Sequence, residues 1–161
     1  MSRREAGPVR DETGRRSWAS SPSVRARMRR QRTKDTSPEI SLRKALHALG
    51  LRYRVHRSVL PGSRQVPDIV FGPSRVAVFV DGCFWHACPR HYQAPKANAD
   101  YWVPKITRNR ERDRETDAAL AAMGWLAIRV WEHEPPADAA MRIASWVERR
   151  RRSTAQDGAG G

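Results

Sequence analysis

Polar and apolar positions divide the chain into three parts. Residues 1–34 are mostly Arg, Ser, Gly and Pro with few large apolar groups, and from Arg149 four consecutive arginines lead into small polar residues and glycines. Neither stretch buries enough surface to offset its ordering entropy. This predicts a disordered basic tail over 1–23, one ordered domain over 24–148 and a disordered tail over 149–161. Within the first stretch, Val24–Arg32 (VRARMRRQR) reads as a segment able to become helical once its charges are neutralised.

The ordered part opens on a helix signal. Thr36-Ser37-Pro38-Glu39 offers a capping box, or Ser37 as N-cap followed by Pro38. Leu42, Ala45, Leu46 and Leu49 then recur at helical spacing up to Gly50. Leu51, Tyr53 and Val55 alternate with Arg52, Arg54 and His56, the pattern of a half-buried strand. Val66–Phe71 reads as a second strand, followed by a Gly72-Pro73-Ser74 turn. Arg75–Asp81 (RVAVFVD) is nearly continuous in apolar residues, which predicts a central strand covered on both faces. Asp100–Met123 reads as a long polar helix ending at Gly124, with Pro104 tolerated near its start. Trp125–Trp131 reads as another buried strand. Ala137–Arg149 reads as a final amphipathic helix with Met141, Ala144, Trp146 and Val147 turned inward. The order α-β-β-β-α-β-α predicts an α/β fold with a mixed β-sheet flanked by helices.

Composition then narrows the function. Lys and Arg number 31 against 17 Asp and Glu, a formal charge of +14 over 161 residues. Such an excess points to a polyanionic partner, nucleic acid before anionic membrane. No apolar run approaches the ~18 residues that span a bilayer, so an integral membrane protein is not expected, and the N-terminal residues lack the apolar core of a secretory signal. Two cysteines cannot build a disulfide scaffold.

Three constellations carry chemistry. Cys83, Cys88 and His91 form C-x4-C-x2-H, and His133 lies just beyond the strand Trp125–Trp131. Four such ligands from two neighbouring strand ends would close a tetrahedral zinc site. On spacing alone the reading of the cysteines as small core residues has equal weight. Pro67-Asp68 starts one strand and Val80-Asp81 ends the next, an arrangement able to hold Mg²⁺ beside a phosphodiester; turn chemistry is the competing reading of Pro-Asp. Glu39 is a third carboxylate or a capping glutamate. Phe84-Trp85-His86 and Tyr101-Trp102 are core aromatics, or wedges for entering a base stack. His86 beside a metal carboxylate suits proton abstraction from water.

At Asp81–His86 (DGCFWH) these motifs stop looking independent. PDIV, VAVFVDGCFWHACPRH, NADYWVPKITRNRERD and GWLAIRVWEHE, in this order, resemble the very short patch repair endonucleases from about Arg25 to Glu148. The resemblance implies a restriction-endonuclease-like fold of the PD-(D/E)xK type with a structural zinc site. It implies an enzyme that nicks duplex DNA 5′ to the T of a T:G mismatch left by deamination of 5-methylcytosine, leaving a 5′-phosphate. By the same resemblance Asp68 and the Val80 carbonyl hold Mg²⁺, His86 is the catalytic base, and Glu39 orders metal-bound water. Cys83, Cys88, His91 and His133 hold zinc. Phe84, Trp85 and Trp102 enter the DNA, Lys105 and Asn109 contact it, and Asp113 supports the site. Asp81 stands where some relatives carry histidine, so its role, metal-site carboxylate or supporting group, is open. Arg25 and Arg29 are expected to bind phosphates. The implied setting is cytoplasmic and nucleoid-associated, as a monomer, with a cognate cytosine-5 methyltransferase and mismatch-repair proteins as functional partners. Two other readings compete: a restriction-type nuclease cutting matched DNA, and a non-catalytic zinc-stabilised DNA-binding module.

Overall fold

The computed structural model describes residues 9–10, 16–17, 34–94 and 96–158. The segment Val24–Arg32, with Arg25 and Arg29, lies outside them. Strands β1 (Val9–Arg10) and β2 (Arg16–Ser17) form a short antiparallel pair within the stretch expected to be disordered. A two-residue ladder closes locally and needs no core.

Helix α1 spans Ser37–Ala48, after Thr36 as N-cap and with Pro38 in its first turn. Strands β3 (Arg54–Val55), β4 (Ile69–Phe71) and β5 (Val76–Asp81) follow, then α2 (Ala99–Ala122), β6 (Leu126–Trp131) and α3 (Pro136–Gly158). The expected element order holds. Strands β3 to β6 form one mixed sheet in the order β3-β4-β5-β6; β3–β4 and β4–β5 are antiparallel, and β5–β6 is parallel.

The pleat of β5 organises the molecule. Val76 and Val78 point to one face, into a core with Leu42 and Leu46 of α1, Ile128 and Val130 of β6, and Ala139, Ala140, Ile143 and Val147 of α3. Ala77 and Phe79 point to the other, where Leu120 of α2 covers them. Both faces of β5 are therefore buried, as its apolar run predicts. Leu42 and Leu46 are almost fully buried, each worth roughly 2–3 kcal/mol of burial.

Three sequence expectations are corrected. The β3 ladder is two residues long; Leu51 and Tyr53 pack on the core, but Val55 is exposed. At His56 the backbone turns left-handed (φ 47°), which ends the alternation and brings its ring inward. In α3 the buried stripe is Ala139, Ala140, Ile143 and Val147, so Met141 and Trp146 face outward, the latter with the Arg149 guanidinium 5.3 Å from its ring centre. Finally, α3 continues past Arg149 to Gly158, so residues 149–158 are helical rather than disordered. Arg150 anchors this extension by donating to the carbonyls of Ser74, at 2.8 Å, and Gly124.

Candidate active site and Cys–His cluster

The parallel register of β5 and β6 pairs Asp81 with Trp131. Two residues further on, Cys83 and His133 emerge side by side, with Sγ 3.1 Å from Nδ1. The turn from Gly82 brings Cys88 back, its amide donating to the Cys83 carbonyl at 2.9 Å. Cys88 Sγ lies 3.6 Å from His133 Nδ1 and 3.8 Å from His91 Nδ1. All four donor atoms lie within 4.8 Å of one another. Neighbouring donors around a tetrahedral zinc, at bond lengths of ~2.3 Å to sulfur and ~2.1 Å to nitrogen, stand about 3.5 Å apart. Two thiols and two imidazoles at these separations fit that ion. Burial, followed by the neighbouring Cys88, pushes the Cys83 thiol up to about 11, so a cation is needed to hold it as thiolate near neutral pH.

This cluster ties down the segment carrying Phe84, Trp85 and His86. Two further bonds brace it: the Cys83 amide donates to Glu132 Oε1 at 2.9 Å, and Asn109 Nδ2 of α2 donates to the Trp85 carbonyl at 3.2 Å. Asn109 thus supports the loop from behind. Phe84, Trp85 and Trp102 form an edge-to-face group with ring centres 5.3–5.8 Å apart, each ring half-buried. Lys105 Nζ donates to the Tyr101 hydroxyl at 2.6 Å and lies 4.2 Å from its ring centre.

Asp68 precedes β4 and faces the end of β5. Its amide donates to the Val78 carbonyl at 2.9 Å, and its Oδ2 accepts the Val80 amide at 2.7 Å. Its Oδ1 is 4.0 Å from His56 Nδ1, beyond hydrogen-bonding distance. Burial raises the Asp68 pKa to about 6; the Val80 amide opposes the rise and the charge of Glu39 adds to it. A half-buried carboxylate with one amide donor, at the end of a strand, is suited to a hard divalent cation. Glu39 is itself buried and has the capping role foreseen for it. It accepts the Asp35 amide (2.9 Å) and the Thr36 hydroxyl (3.1 Å) at the head of α1, while lining the cleft in front of Val80.

On the α2 side, His86 Nδ1 lies 2.5 Å from Asp113 Oδ2. Donation to that carboxylate leaves the lone pair of a neutral ring on Nε2, which stands 3.9 Å from Asp81 Oδ1. Burial works to lower the His86 pKa, but the Asp113 hydrogen bond and the charges of Asp81 and Asp113 outweigh it, and the pKa is raised. Asp81 also meets a cation: Arg129 Nη1 donates to it at 3.2 Å and to Asp113 at the same distance. The same guanidinium reaches Asp117 at 2.8 Å and covers the Phe79 ring at 4.2 Å. Asp81 is therefore held in an ion-pair network behind His86. Removing the cation would leave buried like charges together, costing about 3 kcal/mol. Arg129→Leu is expected to lower the melting temperature by roughly 10 °C, with Arg129→Lys recovering only part; an unchanged temperature would mean that the carboxylates swing into solvent.

Val80, Glu39 and His86 thus line one cleft of about 1010 Å³ with Trp85, Asn109, Asp113 and Glu132, and Asp68 stands against it through its bond to the Val80 amide. Three site residues escaped the sequence reading. His56, with Nε2 3.3 Å from Asp35 Oδ1 and 3.7 Å from Glu39 Oε2, reads in sequence as an outward strand residue. Arg129 looks like an interruption of an apolar strand. Its signal was the Asp113–Asp117 pair, one turn apart on the helix that crosses it. Glu132 gives no signal apart from its register position beside Gly82.

With this geometry in view, comparison with known proteins is direct. Residues 20–91 match the family described as DNA mismatch endonuclease Vsr. The chain is 48% identical over 118 residues to the type II nicking enzyme V.NaeI of Lentzea aerocolonigenes, covering 72% of this chain and 71% of the relative. It is 50% identical over 109 residues to the type II nicking enzyme V.XorIIP of Xanthomonas oryzae pv. oryzae, covering 66% and 77%. It is 35% identical over 128 residues to the DNA mismatch endonuclease Vsr of Escherichia coli strain K12, covering 74% and 80%. The protein is a DNA endonuclease. It belongs to the DNA mismatch endonuclease Vsr family.

Proposed function

We propose that the protein nicks duplex DNA 5′ to the T of a T:G mismatch arising from 5-methylcytosine deamination, initiating very short patch repair, and leaves a 5′-phosphate. One observation carries this reading. Half-buried Phe84 and Trp85 share a single braced loop with His86 beside the carboxylate cleft, and Trp102 of α2 packs edge-to-face on both aromatics. A device for entering the base stack is thereby fixed to the group that takes a proton. Prying open a mismatch costs less than opening a matched pair, and aromatic stacking on the exposed bases is worth roughly 1–3 kcal/mol per base.

Asp68 and the Val80 carbonyl would hold Mg²⁺, which supplies Lewis-acid stabilisation of the developing phosphate charge. His86 Nε2 then accepts the proton of the attacking water, Asp113 fixes its ring from Nδ1, and Glu39 orients that water. Cys83, Cys88, His91 and His133 would hold Zn²⁺ and keep the loop in place. The fold is taken as restriction-endonuclease-like, with His86 in the place of a lysine. A monomer suffices for a single nick. A cytosine-5 methyltransferase would generate the lesion's precursor, and mismatch-repair proteins are the natural helpers. Among the described residues no helix is long and apolar enough to cross a membrane.

The test is strand-specific nicking of a duplex with one T:G in a methyltransferase-like site, with Mg²⁺ and a matched control. The expected product is one nick 5′ of the T with the matched duplex intact. Cutting of both duplexes would favour a restriction-type enzyme, and binding without cutting a non-catalytic module. Trp85→Ala is expected to reduce T:G preference by about tenfold, the equivalent of one lost stacking contact; an equal loss on every duplex would make Trp85 a packing residue.

A further inference from the structure

A second groove, of about 840 Å³, opens at the far end of the sheet from the cleft. It lies around Arg52 and Tyr53 before β3, the Gly72-Pro73 turn between β4 and β5, Trp125 before β6, and Arg151 near the end of α3. Along β4 the Gly72-Pro73 turn is four residues from Asp68, and along β5 Val76 is four residues from Val80, about 13 Å in each case at roughly 3.3 Å per residue. Four arginines line it, Arg52, Arg54, Arg57 and Arg151, and no Asp or Glu does.

These four guanidiniums, like several others on the surface, stand outside the molecule's ion pairs. Arg43, Arg129, Arg142 and Arg152 each pair with a carboxylate. Among the described residues none of the four groove arginines does; Arg52 reaches only the Leu51 carbonyl, at 3.5 Å. All four are exposed, around half-buried Tyr53 and Trp125. Like charges gathered without counter-charge repel one another, and a polyanion relieves that repulsion. Forked guanidiniums match phosphate oxygens in pairs. Arg151 belongs here only because α3 runs beyond Arg149.

We infer that this groove is a second DNA-backbone site, which holds a duplex segment other than the one in the catalytic cleft. The inference rests on the protein being a DNA endonuclease and not on T:G specificity. Holding a second segment lets an enzyme pass between stretches of DNA without fully dissociating.

The test is capture of two duplexes, both matched, in magnesium-free buffer. Wild-type protein is bound to an immobilised 20-base-pair duplex and offered a second, fluorescent one. It is expected to retain the second duplex, with a salt dependence steeper by a slope of about 3 to 4 than the variant Arg52→Ala/Arg54→Ala/Arg57→Ala/Arg151→Ala. That variant should hold the first duplex, nick a cleavable substrate at the wild-type rate, and lose capture of the second at least tenfold. The milder Arg54→Gln/Arg57→Gln variant should lose part of it, which guards against misfolding of the fourfold change. Equal capture by wild type and variants, or no capture by wild type, would overturn the inference. So would loss of binding to phosphatidylserine vesicles with second-duplex capture intact, which would make the groove a membrane-surface site.

Discussion

Asp68→Asn is expected to abolish nicking while raising the stability of the magnesium-free protein above pH 6. The activity loss follows from the proposed role of the carboxylate: it would be the half-buried oxygen donor facing the end of β5, and without its charge the site would lose a cation able to steady the phosphate, worth several kcal/mol or at least a thousandfold in rate. The gain in stability follows from the same burial. The folded-state pKa is raised to about 6 from an ordinary 3.8, chiefly by desolvation. A raised pKa means the fold prefers the protonated acid. The contribution is complete below about pH 4 and is lost as pH rises through about 6. Two units correspond to roughly 2–3 kcal/mol by pH 8. Asparagine keeps an oxygen for the Val80 amide and carries no charge. The variant should therefore melt several degrees above wild type at pH 8 and level with it at pH 4. Equal gains at both pH values would assign the effect to packing. Retained nicking would remove Asp68 from the metal site.

Cys83→Ser is expected to cost the protein its bound zinc, more than 10 °C of melting temperature and essentially all nicking. Structural zinc contributes on the order of 10 kcal/mol in small domains, and here four donors from two strand ends and one loop converge within a few ångströms. Metal analysis of the purified wild type should give one zinc per chain. Removing it with a chelator in the presence of excess Mg²⁺ should reproduce the variant's instability. If neither chelation nor the substitution moves the melting temperature, Cys83 and Cys88 are core residues and the loop is held by Glu132 and Asn109 alone.

What could be read from the sequence depended on how local the cause was. Helix α1 was legible because Leu42 and Leu46 repeat on one face, and β5 because VAVFV leaves no polar face. Cys83, Cys88 and His91 announced themselves by spacing, and His133 by the expectation that two strands end together. Residues whose role depends on packing were not legible. Arg129 matters because β6 lies under α2 at Asp113 and Asp117; His56 matters because its backbone turns left-handed toward Glu39. The extent of α3 was misjudged because a run of arginines normally signals solvated chain, whereas Arg150 finds two carbonyl acceptors on the sheet's turns. The Glu39 capping pattern was sound in kind but displaced by one residue, with Asp35 supplying the amide.

The short span between Cys83 and Cys88 has a consequence for how this enzyme fails. Phe84, Trp85 and His86 all hang between the same two anchors. On the proposed reading, oxidation of either thiol would release the residues that enter the DNA and the residue that accepts the proton in one event. A damaged copy would then be silent instead of indiscriminate, losing cleavage without becoming an enzyme that breaks intact DNA.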